Sequence, residues 1–135
     1  MKNRYFVDTN IWLYAFMDEG RRRNEKALLI ISEPDAVLST QILNEICINL
    51  IKKADYKENA IVKLIENMYG KYKVVTIDKR IILTSSFVRA NYQASFWDSF
   101  VIASALETEC SILYSEDMQD GQIIRDTLSI KNPFK

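Results

Sequence analysis

The sequence predicts an α/β domain built around a parallel β-sheet, and three observations support this prediction. Short apolar runs that resemble strands recur along the chain, and longer stretches with the apolar spacing of helices separate them. The strand-like runs lack strict alternation, which is typical of strands covered on both faces. The length of 135 residues matches one domain. We therefore expect a single domain over residues 1–135, with a central parallel sheet of four to five strands and helices on both faces.

The predicted strands and helices alternate along most of the chain. The predicted strands are residues 5–7, 36–38, 72–75 and 112–114, with 128–130 as a further edge strand. The predicted helices are residues 10–16, 21–32, 40–53, 57–68, 80–92 and 98–107. Asn10 is a suitable N-cap, Pro34 follows the end of the second helix, and Gly70 is a good terminator of the fourth. Ser95, three residues before Asp98, is typical of a capping box that begins the last helix.

Composition excludes several kinds of active site. The chain contains no histidine, which excludes Ser-His-Asp triads, histidine general bases and the common zinc sites. Its 18 basic and 18 acidic residues balance, so no overall positive field attracts nucleic acid. Cys47 and Cys110 lie far apart in apolar contexts, and we interpret them as reduced core thiols. No apolar stretch is long enough for a signal peptide or a membrane helix, so we expect a soluble cytoplasmic protein.

Four acidic residues stand out by their positions. Asp8 and Asp117 each follow a strand-like run, which places them at the carboxyl ends of parallel strands, where ligands bind. Glu45 lies within an apolar helical pattern and Asp98 begins a helix, and both have to reach the same crevice from there. Carboxylates brought together in this way repel one another unless a divalent cation neutralises them. The pattern therefore favours a site for a hard metal ion with oxygen ligands.

Each acid also has a purely structural interpretation. Asp8 could cap the helix that follows it, and Asp98 could be the acidic member of the capping box begun by Ser95. Asp117 could initiate a turn that continues to residues 120–121. Glu45 is harder to explain in this way, because it borders the apolar face of its helix. Taken singly, the structural and functional interpretations of the three aspartates are about equally well supported.

The joint pattern of motifs is more specific than any single one. Its segments are residues 6–11 (FVDTNI), 39–45 (STQILNE), 96–99 (FWDS) with 102–105 (IASA), and 113–121 (LYSEDMQDG). In this order and spacing the segments resemble PIN domains, and specifically the VapC-type toxins of prokaryotic toxin–antitoxin pairs. The resemblance covers essentially the whole chain.

The resemblance implies a metal-dependent endoribonuclease that a small antitoxin inhibits. The family's acidic positions carry over, as catalytic residues and ligands of Mg²⁺ or Mn²⁺, onto Asp8, Glu45, Asp98 and Asp117, and its polar positions near the metal onto Asn10 and Ser115. We expect Asp8 to be the firmest direct ligand, because Mg²⁺ takes only one or two carboxylates directly. Asp120 departs from the family, in which histidine often stands before the glycine of this turn. Two positions are open for Asp120, the rim of the site or the solvent.

RNA, an antitoxin and a second copy of the chain are the implied partners. Trp12, Tyr14 and Trp97 are candidates for stacking on single-stranded RNA. Helices 10–16, 21–32 and 40–53 carry more apolar residues than one small core needs, which indicates interfaces. We therefore expect a homodimer, and a groove lined by Trp12 and Tyr14 that holds an apolar antitoxin helix. The antitoxin's C-terminal segment is expected to place an arginine or lysine among the acids.

Two other functions stay open from the residues. A magnesium-dependent phosphotransfer or receiver-like α/β domain also places aspartates at strand ends. However, a receiver needs its acceptor aspartate at the end of the third strand, and Asp78 lies three residues past Val75; a dehalogenase-type enzyme needs an acid where Asn10 stands. The other alternative is a non-catalytic PIN-like module, which would gain stability by losing the four acids.

Overall fold

The structure, a computed structural model, describes residues 3–17 and 20–135. The strands are β1 Tyr5–Val7, β2 Ala36–Ser39, β3 Lys73–Val75, β4 Ile112–Tyr114, β5 Ile123–Ile124 and β6 Leu128–Lys131. The helices are α1 Thr9–Phe16, α2 Arg21–Ile31, α3 Thr40–Ala54, α4 Glu58–Lys71, α5 Lys79–Asn91 and α6 Phe96–Glu107. The strands form one sheet in the order β3-β2-β1-β4-β6-β5. The α/β fold with a mostly parallel sheet is therefore confirmed.

The described strands exceed the predicted four to five because of β5. This strand has two residues, which is too short to produce a recognisable pattern. It pairs antiparallel with β6, whereas every other strand pair of the sheet is parallel. The segment predicted as a last edge strand is therefore second from the edge, and β5 covers its outer side.

Both faces of the central strands are covered. Side chains of successive strand residues point to opposite faces, and all four residues of β2 are buried. Phe6 and Val7 in β1 are buried as well. This explains why the strands lack alternation of polar and apolar residues, since neither face is left to solvent. The largest fully buried side chains are Trp12, Phe6, Ile11, Leu38, Ile42, Ile46, Leu50, Ile81, Leu113, Ile124, Leu128 and Ile130.

Trp12 is part of this core, and the prediction that it lines a groove or stacks on RNA is wrong. Its side chain is 0% exposed, and its Nε1 donates a hydrogen bond of 2.9 Å to the carbonyl of Val7. The ring packs edge-on against Tyr72, with the two ring centroids 4.9 Å apart. Burial of a large aromatic with its one donor satisfied is the usual core arrangement for tryptophan.

Two helix ends differ from the prediction for local reasons. Gly70 does not terminate α4, which runs on to Lys71, and the N–H of Tyr72 still bonds to the carbonyl of Met68. Gly70 has no positive φ, so it does not provide the left-handed cap for which glycine is favoured. Helix α6 begins two residues earlier than predicted, because Ser95 is its N-cap and accepts the N–H of Asp98 at 3.1 Å.

The two cysteines are free, as the sequence predicts. Cys110 is buried, and burial raises the pKa of its thiol to about 11. Burial also raises the pKa of the half-buried Cys47 thiol. Both thiols are therefore mainly protonated at neutral pH, which makes them weak nucleophiles.

The strand order creates a crevice at one point of the sheet. From β1 the chain builds β2 and β3 on one side, and it then returns to place β4 and β6 on the other side. The chain segments that leave β1 and β4 diverge at such a reversal, α1 after β1 and a loop after β4, and ligands bind beyond the carboxyl ends of the strands there. The N–H of Asp8 bonds to the carbonyl of Tyr114 at 3.0 Å, which holds the two strand ends together. No helix in residues 3–17 and 20–135 is long and apolar enough to cross a membrane.

Candidate active site

A cavity of about 260 Å³ lies beyond the carboxyl ends of β1 and β4. We call it the acid cavity, and its lining residues are Asp8, Thr9, Asn10, Gln41, Glu45, Asn49, Trp97, Asp98, Val101 and Asp117. The structure thus brings together all four acids that the sequence singles out, from the segment after β1, α3, α6 and the loop after β4. No lysine or arginine is among these lining residues, so nothing basic in the described wall offsets the acids.

Asp8 lies at the junction between β1 and α1. It is the N-cap residue of α1, but its Oδ1 accepts only the N–H of the adjacent Thr9, at 2.8 Å. Its Oδ2 accepts the hydroxyl of Ser115 at 2.8 Å. Each carboxylate oxygen therefore keeps acceptor capacity for a further ligand. Asp8 therefore caps α1 and can still accept bonds from a further ligand.

The pKa of the Asp8 carboxyl is raised from 3.8 to about 6. The largest cause is burial, which disfavours the charged form. Hydrogen bonds from Ser115 and Thr9 act in the opposite direction, and the negative charges of Asp98 and Glu45 raise the pKa further. The acids of the cavity therefore interact electrostatically across the chain segments that carry them.

Thr9 links α1 to Glu45. Its hydroxyl donates a hydrogen bond of 2.6 Å to Oε1 of Glu45, which fixes the carboxylate at the mouth of the cavity. On α3, Gln41 and Asn49 lie one helical turn before and after Glu45, so the three side chains share one face. Thr9, Gln41 and Asn49 are not among the predicted site residues, although their i, i+4, i+8 spacing around Glu45 indicates the last two.

Asp98 lies in the first turn of α6 and is half-buried. Its backbone N–H bonds to Ser95, but in the described part of the chain its carboxylate makes no hydrogen bond back to Ser95. Half of the capping box is thus formed, and the acid is free to face the cavity. The purely structural interpretation of Asp98 does not account for where its side chain lies.

Asp117 follows β4 and is exposed at the rim. Its Oδ2 accepts a hydrogen bond of 3.1 Å from Nδ2 of Asn10. Ser115 is fully buried two residues earlier, where it donates to Asp8 and accepts the N–H of Met118 at 3.3 Å. Asn10 and Ser115 therefore each orient one of the acidic side chains.

Two other acids of the same loop lie outside the acid cavity. Asp120 is exposed and accepts the N–H of Asn132 at 2.8 Å, so it attaches the loop to the C-terminal segment. Glu116 accepts hydrogen bonds from the hydroxyl of Tyr14 and the guanidinium of Arg23, at 2.6 and 2.9 Å. Of the two positions open for Asp120, the solvent-exposed one is correct. Tyr14 is engaged with Glu116 and does not line the acid cavity.

The oxygen donors of the acid cavity fit a hard divalent cation. In addition to the carboxylates, Oδ1 of Asn10 is buried without a hydrogen-bond partner among the described residues. No three Asp, Glu, Cys or His side chains within residues 3–17 and 20–135 form a group that could hold an ion by themselves. Mg²⁺ binds through one or two carboxylates and keeps several waters, so it does not require such a group.

The acid cavity continues into hollows on both sides. A cavity of about 260 Å³ shares Asp98 and Asp117 with it, and a hollow of about 440 Å³ shares Gln41, Glu45 and Trp97. Trp97 is 63% exposed, and its ring leans on Phe96 and Phe100, with ring centroids 5.1 and 5.7 Å away. The three hollows form one groove that passes over the acids.

Asp78 has a structural role at a different place in the fold. It is the N-cap of α5, where its Oδ1 accepts the N–H of Ile81 at 3.0 Å, and it does not line the acid cavity. The aspartate that a receiver-like domain would need for phosphorylation is therefore not at the cavity.

Several solved structures have a fold similar to that of this chain. The chain superimposes on a toxin-antitoxin complex from Klebsiella pneumoniae with a TM-score of 0.72 and 19% identity, covering 96% of this chain and 97% of that one. For VapC20 of Mycobacterium tuberculosis, a sarcin-ricin loop cleaving toxin, the TM-score is 0.66 at 18% identity, with 84% and 89% covered. For VapBC2 of Rickettsia felis, bound to a DNA fragment from their promoter, the TM-score is 0.64 at 13% identity, with 95% and 98% covered. No curated protein sequence matches the chain.

The sequence itself also matches a known family. The profile of the PIN domain family matches residues 5–120, which include all four acids of the cavity and most of the loop after β4. This chain is a member of the PIN domain family.

Proposed function

We propose that this PIN domain is an endoribonuclease, that it uses Mg²⁺ or Mn²⁺, and that it is the toxin of a toxin–antitoxin pair. The observation that carries the proposal is the convergence of four carboxylates, from four separate segments, on one cavity with no basic side chain in its described wall. The structural neighbours named as a toxin-antitoxin complex and as an RNA-cleaving toxin support it.

We assign a separate role to each residue of the site. Asp8 would be the direct ligand of the ion, Asp98, Asp117 and Glu45 would hold it directly or through water, and Ser115 holds Asp8 in place. A bound divalent cation supplies an activated water and neutralises charge on the phosphate. Because the chain has no histidine, the carboxylates that line the acid cavity are the groups placed to accept a proton from the attacking water. The carboxylate oxygens of Asp98, which make no hydrogen bond among the described residues, are available for this.

Cleavage of a pool of single-stranded RNA by the purified protein tests the proposal. New 5′ ends, mapped by sequencing, are expected with millimolar Mn²⁺ or Mg²⁺ and are expected to disappear when EDTA is added. Cleavage that persists in EDTA would contradict the role of the metal ion. Intact RNA under every metal condition would contradict the nuclease itself.

Replacing Trp97 with alanine is expected to weaken binding of single-stranded RNA by about 5- to 150-fold, because stacking of one base on an aromatic ring is worth roughly 1–3 kcal/mol. Trp97 is the exposed aromatic of the groove, and Phe96 and Phe100 support its ring from one side. Trp97→Phe should retain most of the affinity. Tyr69, which is 52% exposed on α4, is the control, and Tyr69→Ala should leave binding unchanged. Fluorescence anisotropy of a labelled RNA measures all three variants.

The antitoxin is proposed to place a guanidinium or ammonium group among the acids, since such a group pairs with carboxylates without any metal. It would then compete with the divalent cation for the same charge. Raising Mg²⁺ at constant ionic strength is therefore expected to weaken the complex, as measured by titration calorimetry. An affinity that does not respond to Mg²⁺ would show that the antitoxin inhibits from another surface.

We also propose a homodimer that acts in the cytoplasm. Large apolar side chains are exposed on two helices, Leu28 and Leu29 on α2, and Ile48 and Ile51 on α3, and exposed apolar patches typically mark interfaces. Residues 121–135 are proposed to belong to the same domain as the matched region, because β6 pairs with β4 within the sheet.

A further inference from the structure

The cavity that adjoins the acid cavity on the α6 side is different in chemistry. We call it the amide pocket, because its rim carries three glutamines while apolar side chains form its floor. The rim residues are Gln93, Gln119 and Gln122, and the floor residues are Ile102, Met118 and Ile130. The only charged side chains of its described wall are Asp98 and Asp117, which it shares with the acid cavity. A ligand of the amide pocket therefore lies directly beside the four acids.

The lining excludes some ligands and favours others. With no lysine or arginine in its described wall, the amide pocket cannot neutralise a phosphate group. A glutamine amide offers paired donors and an acceptor, which matches the hydrogen-bonding edge of a nucleobase. The apolar floor suits the face of such a ring. The volume of about 260 Å³ is below the roughly 300–1,000 Å³ of pockets for drug-sized ligands, so one base fits better than a longer segment.

The glutamine side chains are available for a ligand. Among residues 3–17 and 20–135, no hydrogen bond from the side chain of Gln93, Gln119 or Gln122 is formed. The backbone that carries Gln119 and Gln122 is nevertheless held in place. Gly121, at φ +88°, reverses the chain, its N–H bonds to the carbonyl of Ile130 at 2.8 Å, and the N–H of Ile130 bonds to the carbonyl of Gln122 at 2.9 Å. This side of the rim is thus attached to β6 before any ligand binds, which lowers the entropic cost of recognition.

Building on the proposed ribonuclease activity, we infer that the amide pocket receives the nucleobase of the nucleotide next to the scissile phosphate in single-stranded RNA. The acid cavity would hold the phosphate only with the divalent cation of the proposed function bound, and the glutamines determine which base is accepted at the neighbouring position. Bases in single strands are free to turn out and present their edges in this way. Reading of one base edge by an amide discriminates between bases by about 5- to 150-fold.

The glutamine content of the chain makes a direct test possible. The sequence contains four glutamines, three in the amide pocket and Gln41 on the opposite side of the acids. Protein labelled with ¹⁵N only at glutamine therefore shows four side-chain amide groups, of which Gln41 is the internal control. The Asp8→Asn variant is used so that RNA is not cut, and it is titrated in millimolar Mg²⁺ with short oligoadenylate, oligocytidylate and oligouridylate.

The expected result is a saturable shift of the Gln93, Gln119 and Gln122 signals, larger than that of Gln41, with affinities for the three oligonucleotides that differ at least 5-fold. Gln122→Leu and, separately, Gln93→Leu should reduce this difference to less than 2-fold. In active protein the same variants should flatten the base preference beside the cut, whereas Tyr69→Ala, outside the groove, should not alter the preference at that position.

Other outcomes separate this inference from the proposed function. RNA that binds and is cleaved with no base preference, or that leaves the three signals unmoved, would contradict base recognition by the amide pocket. The proposed ribonuclease activity would still stand. RNA that shifts the three signals but is never cleaved would overturn the ribonuclease and retain the base site. Absence of any RNA binding, with shifts produced instead by an antitoxin peptide, would overturn both.

Discussion

Replacing Asp8 with asparagine is expected to lower RNA cleavage on the order of 10³-fold while leaving the fold intact. Asparagine keeps the shape of the side chain, and its oxygen can still accept the N–H of Thr9. What it removes is the negative charge at the residue that anchors the proposed metal ion. Loss of a charge-stabilising interaction of about 4 kcal/mol in the transition state corresponds to that factor. Single-turnover cleavage of a mapped substrate measures it.

Asp55→Asn is the matched control for this prediction. The side chain of Asp55 is 86% exposed and forms a surface ion pair with Lys57, which contributes little to stability. Asp55 has φ 54°, a left-handed conformation that asparagine adopts readily, so the same chemical change is tolerated there. Asp55→Asn should cleave as the unaltered protein does. Equal activity of Asp8→Asn and Asp55→Asn would show that the acid cavity is not the catalytic site.

The second large effect is a change of stability with pH in the absence of metal. The pKa of Asp8 is about 6 in the folded chain against an ordinary value of 3.8, so folding favours the protonated form. Its stabilising contribution is complete below about pH 4 and is lost as the pH rises through about 6. The free energy of unfolding is expected to fall across this window by on the order of 3 kcal/mol.

Comparison with Asp8→Asn isolates this contribution from the other carboxyls. Glu116, for example, has a pKa lowered by hydrogen bonds from Tyr14 and Arg23 against the opposing effect of burial, so it acts in the other direction as the pH rises. Asparagine does not titrate, and the difference in unfolding free energy between the two proteins reports Asp8 together with its coupling to Asp98 and Glu45. Urea denaturation in EDTA from pH 4 to pH 7.5 gives this difference. In EDTA at pH 7.5 the variant should be the more stable protein.

Divalent metal should make the unaltered protein more stable than Asp8→Asn, the reverse of their order in EDTA. The ion binds the ionised carboxylate, so its stabilising effect follows RT ln(1 + [L]/Kd) and increases as the pH rises through 6. At pH 7.5 millimolar Mn²⁺ should raise the unfolding free energy of the unaltered protein much more than that of Asp8→Asn. A difference between the two proteins that stays constant with pH, and is the same with and without Mn²⁺, would contradict both the charge coupling and the metal site.

The positions of the acids were predictable from sequence because their signals are local. Asp8 directly follows a strand, and Asp98 lies one turn after a serine cap, so the neighbouring residues alone define where each element begins or ends. The parallel arrangement of β1 and β4 then brings these ends to one edge, which is a general property of α/β sheets. Glu45 was found from the apolar pattern of its helix. The catalytic and metal-binding roles of these residues stay predictions.

Contacts between distant segments decided the rest. Trp12 and Trp97 both lie near the start of a helix among apolar residues, and the sequence does not distinguish them. Trp12 is buried because it packs against Tyr72, which directly precedes the edge strand β3, whereas Trp97 packs on its own helix and remains exposed. The amide pocket and β5 likewise depend on how the loop after β4 folds back on β6. Burial is a property of the assembled layers, so local sequence determines the elements and their caps, and only tertiary packing determines which side chains remain available to bind a ligand.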